Sequence, residues 1–136
     1  PLLDRIDIQC EISPVPFKDI STAAPGEPSA KIRERVIKAR EIQAARFKDF
    51  KGIHCNAQMT ERMIHQFAEP DEEGINLLRM AMEKLSLSAR AYNRILKVAR
   101  TIADLAGSEC VEPFHLAEAI GYRTLDRGDW AERGHL

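Results

Sequence analysis

Four of the seven prolines, Pro14, Pro16, Pro25 and Pro28, crowd into residues 14–28. No long helix and no paired strand can run through such a stretch, because each proline removes a backbone donor and fixes φ. Pro25-Gly26-Glu27-Pro28 and the Ser, Thr and Ala residues around it have the composition of a loop, which divides the chain into a short leading piece and a long trailing one. In the leading piece Ile6, Ile8, Cys10 and Ile12 alternate with Asp7, Gln9 and Glu11, the period of a β-strand. A lone strand cannot satisfy its own backbone groups. Its partners are expected outside these residues, or the segment frays.

Beyond the loop the apolar period changes to that of helices. Ser29 caps a first helix predicted to run to about Phe50, with Ile32, Val36, Ala39, Gln43 and Phe47 on one face and Gly52 closing it. Asn56 caps a second, in which Met59, Met63, Ile64 and Phe67 share a face before Pro70. Asp71 begins a third, carrying Ile75, Leu78, Met82 and Leu85. Ser88 begins a fourth, whose set Tyr92, Ile95, Val98, Ala99 and Ile102 continues to Leu105-Ala106 before Gly107. Pro113 opens a fifth, with Leu116, Ala119, Ile120 and Leu125. The expected fold is mainly α: about five helices preceded by one strand and a Pro-rich loop.

A chain of 136 residues that is 44% hydrophobic has room for one compact core. Its 20 Lys and Arg against 21 Asp and Glu disfavour a globally basic nucleic-acid binder. No apolar run approaches the ~18–20 residues that span a bilayer, so no membrane partner is expected. The opening residues lack a signal-peptide pattern, which points to the cytoplasm, and the missing initiator Met suggests a piece of a larger protein. Cys10, Cys55 and Cys110 lie too far apart for a disulfide framework. With His54, His65 and His115 they form no Cys-x-x-Cys or His-x-x-x-His pair, so no metal site is expected.

Self-contained catalysis is not expected either. None of the glycines builds a phosphate-cradling Gly-x-x-x-x-Gly-Lys-Ser/Thr loop, and neither Gly-x-Ser-x-Gly nor His-Glu-x-x-His occurs. Glu72-Glu73 sits where a helix dipole favours carboxylates. Arginines are the stronger lead. Arg90, Arg94 and Lys97 line one face of the fourth helix, with Arg100 beside them and Asp104 the single offsetting charge. Such a stripe is either a solvated face or a contact for phosphates. Arg90 lies in the first turn, where a guanidinium and free helix amides can face the same anion. The first helix is richer in cations, but they point several ways, as in solvation or contact with a neighbouring subunit. A stand-alone helical module that binds DNA or another protein stays open as the alternative. Arg5, by spacing alone, is a surface arginine.

The words around these arginines resemble a known family. Pro1-Leu2-Leu3-Asp4-Arg5-Ile6-Asp7 is similar to the stretch that ends the ATPase core in the magnesium-chelatase-like branch of the AAA+ ATPases. The long run Ser88-Ala89-Arg90-Ala91-Tyr92-Asn93-Arg94-Ile95-Leu96-Lys97-Val98-Ala99-Arg100-Thr101-Ile102-Ala103-Asp104-Leu105 resembles the C-terminal lid of that branch. With Ile32-Arg33-Glu34-Arg35-Val36 and His115-Leu116-Ala117-Glu118-Ala119-Ile120-Gly121-Tyr122-Arg123, the pattern is nearest the ComM/YifB family. The resemblance implies residues 1–14 as the last core strand, 15–29 as a linker, 30–127 as a helical lid and 128–136 as a tail. It implies an arginine finger at Arg5 acting on the neighbouring subunit's nucleotide, sensor 2 at Arg90, and Arg94 as a further nucleotide contact. It also implies ATP and Mg²⁺ as cofactors of the parent protein, none held tightly by these residues, which lack Walker A and Walker B segments. The implied partners are the AAA+ core of the same protein, neighbouring subunits in a hexamer, and DNA undergoing branch migration or unwinding.

Overall fold

The computed structural model describes residues 2 and 5–123. Expectations for Pro1, Leu3 and Asp4 of the leading motif, for Leu125, and for the tail at 128–136 therefore lie outside the described residues. Helices run as α1 Phe17–Thr22, α2 Ser29–Arg46, α3 Glu61–Phe67, α4 Glu72–Lys84, α5 Ala89–Leu105 and α6 Pro113–Gly121, with a 3-10 turn at Asn56–Gln58. The mainly α expectation holds, and α2 to α6 are its five helices.

The expected strand is not formed: no strand occurs among the described residues. With no partner strand to bond, the segment after Arg5 is held by the helices instead, the Gln9 amide donating to the Tyr122 carbonyl at 2.8 Å. The Pro-rich stretch is also less uniform than a loop. Between Pro16 and Pro25, α1 makes one exposed turn and a half, closed by the Ser21 and Thr22 hydroxyls donating to the Lys18 carbonyl.

Helix boundaries follow the local chemistry. Asp71 and Ser88 cap α4 and α5 as predicted, accepting from the Gly74 amide at 2.8 Å and the Ala91 amide at 3.2 Å. The first predicted helix stops at Arg46, because Phe47 leaves helical φ at -103° to turn its ring into the core, and the chain reverses through Gly52 at φ +83°. The second is shorter than predicted, since Thr60 and not Asn56 caps α3, its hydroxyl accepting from the Met63 amide at 3.3 Å. Asn56 is committed to a buried contact elsewhere.

The core forms around α5. Its Ile95, Leu96, Ala99 and Ala103 are buried against Leu116 and Ala119 of α6, Leu78 of α4, Met63 and Ile64 of α3, and Phe47. Phe47, Phe50 and Phe67 close one end edge to face, with centroids 5.7 Å apart for Phe47–Phe67 and 5.8 Å for Phe50–Phe67. On α2 the predicted face divides. Ala39 and Gln43 are buried, whereas Ile32 and Val36, two turns earlier, remain about 40% exposed (44% and 40%) and line a groove of about 700 Å³ against α5.

One close approach fixes how α4 meets α6. A Cβ at Gly74 would come within 2.8 Å of the Pro70 Cβ and 2.9 Å of the Leu116 Cδ1. Alanine ordinarily stabilises a helix by ~1 kcal/mol over glycine. Here Gly74→Ala is expected to destabilise the fold by ~1–2 kcal/mol, because overpacking outweighs propensity. A chemical-denaturation midpoint at or above that of the wild type would refute it.

Candidate functional site

The four cations of the predicted stripe on α5 meet four different fates. Arg90, the second residue of the helix, is exposed and has no side-chain hydrogen bond or ion pair among the described residues. The Ser88 hydroxyl and carbonyl take the amides of Ala91 and Tyr92, which leaves those of Ala89 and Arg90 outside the helix's own ladder. Arg90 thus stands beside amide donors unpaired among the described residues, at a positive helix end. One turn further on, Arg94 is engaged: its guanidinium pairs with the Asp7 carboxylate of the leading segment. Lys97 Nζ donates to the Ala57 carbonyl at 3.0 Å. Arg100 is buried, donating to the carbonyls of Ser108 at 2.6 Å, Glu109 at 2.9 Å and Phe67 at 3.3 Å. Burial pushes its pKa down from the ordinary arginine value, Asp104 opposing the shift. The stripe is therefore no continuous row of unpaired cations.

Beneath it lies a polar cluster that sequence reading did not assemble. The Asp104 carboxylate, fully buried, accepts two hydrogen bonds from Arg46 at 2.6 and 2.8 Å and one from the Asn56 amide at 2.8 Å, and lies 3.1 Å from Arg100. Asn56 accepts from Arg46 at 2.9 Å, and its backbone amide donates to the Gln43 side chain at 2.9 Å. These contacts join α2, the 3-10 turn and α5, and so fix the axis of the helix that carries Arg90. The signal was present in the phase of α5: Arg100 and Asp104 fall on the same face as Leu96 and Ala103, where a charged residue needs a buried partner.

Arg5 is exposed, and its side chain makes no hydrogen bond or ion pair among the described residues. The structure does not place it against Arg90 by any direct contact. The residues just after it are tied down. Besides the Asp7–Arg94 pair, the fully buried Arg123 donates to the Ile6 carbonyl at 2.7 Å. Arg123 is a second residue whose importance the fold, and not spacing, discloses.

Among the described residues no three His, Cys, Asp or Glu side chains gather where a metal ion could be held. No helix among them is long and apolar enough to cross a membrane.

Comparison with known proteins identifies the family. Residues 26–123 match the family described as magnesium chelatase, subunit ChlI C-terminal. The chain is 42% identical over 128 residues to the competence protein ComM of Haemophilus influenzae, covering 93% of this chain and 24% of that protein. It is 42% identical over 129 residues to YifB of Escherichia coli and 40% identical over 129 residues to YifB of Salmonella typhimurium, again covering 93% of this chain. The chain spans about a quarter of the length of these relatives (24%). The resemblance read from the motifs is thereby established: this chain belongs to the magnesium chelatase ChlI C-terminal family and corresponds to that region of ComM- and YifB-type proteins.

Proposed function

We infer that the chain serves as the helical lid of a longer, oligomeric AAA+ ATPase, with Arg90 as sensor 2 and Arg5 as an arginine finger directed at the nucleotide of an adjacent subunit. The observation that carries this reading is the isolation of Arg90. It is exposed, unpaired among the described residues and adjacent to free amides, while every other cation on its helix face is consumed by the protein.

A nucleotide phosphate fits that environment, because the guanidinium and the helix end both favour an anion without requiring a proton. ATP with Mg²⁺ supplies the scissile phosphoryl group when bound. The residues of this chain contribute charge at its edge. Arg90 would bind and orient a phosphate oxygen, and Arg5 would stabilise negative charge developing on the neighbour's phosphoryl group. The chain has no glycine loop of the phosphate-cradling kind, so the principal phosphate contacts belong to other segments of the whole protein. The partners in this reading are the ATPase core of the same protein and neighbouring subunits of a hexamer. In this reading the complete assembly works on DNA, by branch migration or unwinding, as the resemblance to the ComM/YifB family implies.

In the whole protein, Arg90→Ala is expected to lower ATP turnover by about 10²-fold, the scale of losing one preorganised electrostatic contact. The melting temperature should stay close to wild type, since the side chain holds no partner among the described residues. A steady-state ATPase assay at saturating ATP checks this, and wild-type turnover in both Arg90→Ala and Arg5→Ala would defeat the assignment.

A further inference from the structure

Side-chain and backbone contacts together hold the segment that follows Arg5 against the helices. Asp7 forms an ion pair with Arg94, the Ile6 carbonyl accepts from Arg123 at 2.7 Å, and the Gln9 amide donates to the Tyr122 carbonyl at 2.8 Å. Arg94 lies four residues, about one turn, beyond Arg90 and on the same face of α5. Further along, Ile8 and Cys10 line one groove with Val98 and Ile102 of α5. The segment therefore runs beside the helix that carries Arg90, and its anchors begin at the residue next to Arg5.

A solitary extended segment has no reason to keep a fixed position once its sheet is missing. This one keeps it through a side chain with no exposure, Arg123, whose donor reaches a backbone carbonyl that no ladder satisfies. The ion pair is different in character. Its side chains are 52% exposed at Asp7 and 31% at Arg94, so it is screened and contributes little to stability. Its effect is orientational, fixing which way the chain leaves Arg5.

We propose that Asp7, Arg94 and Arg123 form a clamp that makes the finger-bearing segment and α5 one rigid body, so that a displacement of α5 on nucleotide binding moves Arg5 with it. Arg94 in this role is a positioning residue for Arg5, acting through Asp7, and not a nucleotide contact. The proposal rests on the reading of Arg5 as the finger. It adds that the finger's position in one active site is set by the lid of its own subunit, which links the nucleotide state of that subunit to hydrolysis in the next.

The test uses ATP hydrolysis by the whole oligomeric protein with Asp7→Arg, Arg94→Asp and the double swap, alongside Arg5→Ala. A misplaced but intact finger loses rate and not binding. Each single reversal is expected to lower kcat ~10-fold with KM for ATP within ~2-fold, and the swap to recover kcat to within ~3-fold. Melting temperatures should stay within a few degrees throughout, which separates positioning from loss of fold. Arg123→Lys should retain part of the rate that Arg123→Met loses. If Arg5→Ala abolishes turnover while both single reversals keep wild-type kcat, the clamp is overturned and the finger reading survives. If Arg94→Asp raises KM for ATP and Asp7→Arg does nothing, Arg94 touches nucleotide directly and the clamp is again overturned. Wild-type turnover in Arg5→Ala removes the finger reading, and the clamp's function with it.

Discussion

Asp104→Ala is expected to cost the fold about 3–5 kcal/mol, the usual consequence of removing one partner from a buried charge pair. The carboxylate has no solvent exposure and is shared by Arg46, Arg100 and Asn56, while the two guanidinium side chains retain only 11% and 4% of theirs. Alanine would leave two buried cations facing one another with no anion between them, and the Asn56 amide with only the Thr101 hydroxyl to accept from it. Against a total stability of ~5–15 kcal/mol, the loss is a large fraction. A fall in melting temperature of roughly 10–20 °C is anticipated for a chain of this size. Urea denaturation of the 136-residue chain measures it, and a loss below ~1 kcal/mol would show that solvent or a rearranged partner replaces the carboxylate. Asp104→Asn, which keeps the shape and removes the charge, should be nearly as damaging because the arginines remain uncompensated.

Arg5→Ala is expected to have the opposite profile, with a large kinetic effect and almost no structural one. Its side chain is exposed and unpaired among the described residues, so its removal should change stability by no more than ~0.5 kcal/mol. Turnover by the assembled protein should fall ~10³-fold or more, the range in which a finger stabilises charge on a transferring phosphoryl group. Binding of ATP should persist if the arginine acts, as proposed, across a subunit boundary on charge that develops only during transfer. Mixing the variant with wild type adds a second measurement. Activity should decline steeply with the variant fraction if a finger from one subunit serves the next, and in simple proportion if it does not. A turnover loss smaller than ~10-fold would be too little for a finger.

Much of this fold could be read before any coordinates. Caps at Asp71 and Ser88 and the first-turn Pro113 placed three helix starts, because each rests on local chemistry that tertiary packing does not alter. The apolar phase of α5 named Ile95 and Ala99 as core for the same reason. Where two local solutions competed, the sequence did not decide. Asn56 and Thr60 are both good helix caps; Thr60 prevailed because the Asn56 side chain was drawn into the buried cluster around Asp104. Ile32 and Val36 were in phase with Gln43 on α2, yet among the described residues they line an open groove and stay about 40% exposed.

The candidate site divides in the same way. Arg90 was legible as a cation two residues past a serine cap, a relation spanning three residues. Its distinction from Arg94, Lys97 and Arg100 was not, since their partners Asp7, Ala57 and Ser108 lie 87, 40 and 8 residues away along the chain. By itself, then, the sequence determined the helical class, the helix starts at Asp71, Ser88 and Pro113, and the family. Only the tertiary structure decided which charges are spent on holding the helices together and which stay unpaired among the described residues. Periodicity reports on neighbours within a turn of helix, whereas the fate of a charge depends on what the fold brings to it from the rest of the chain.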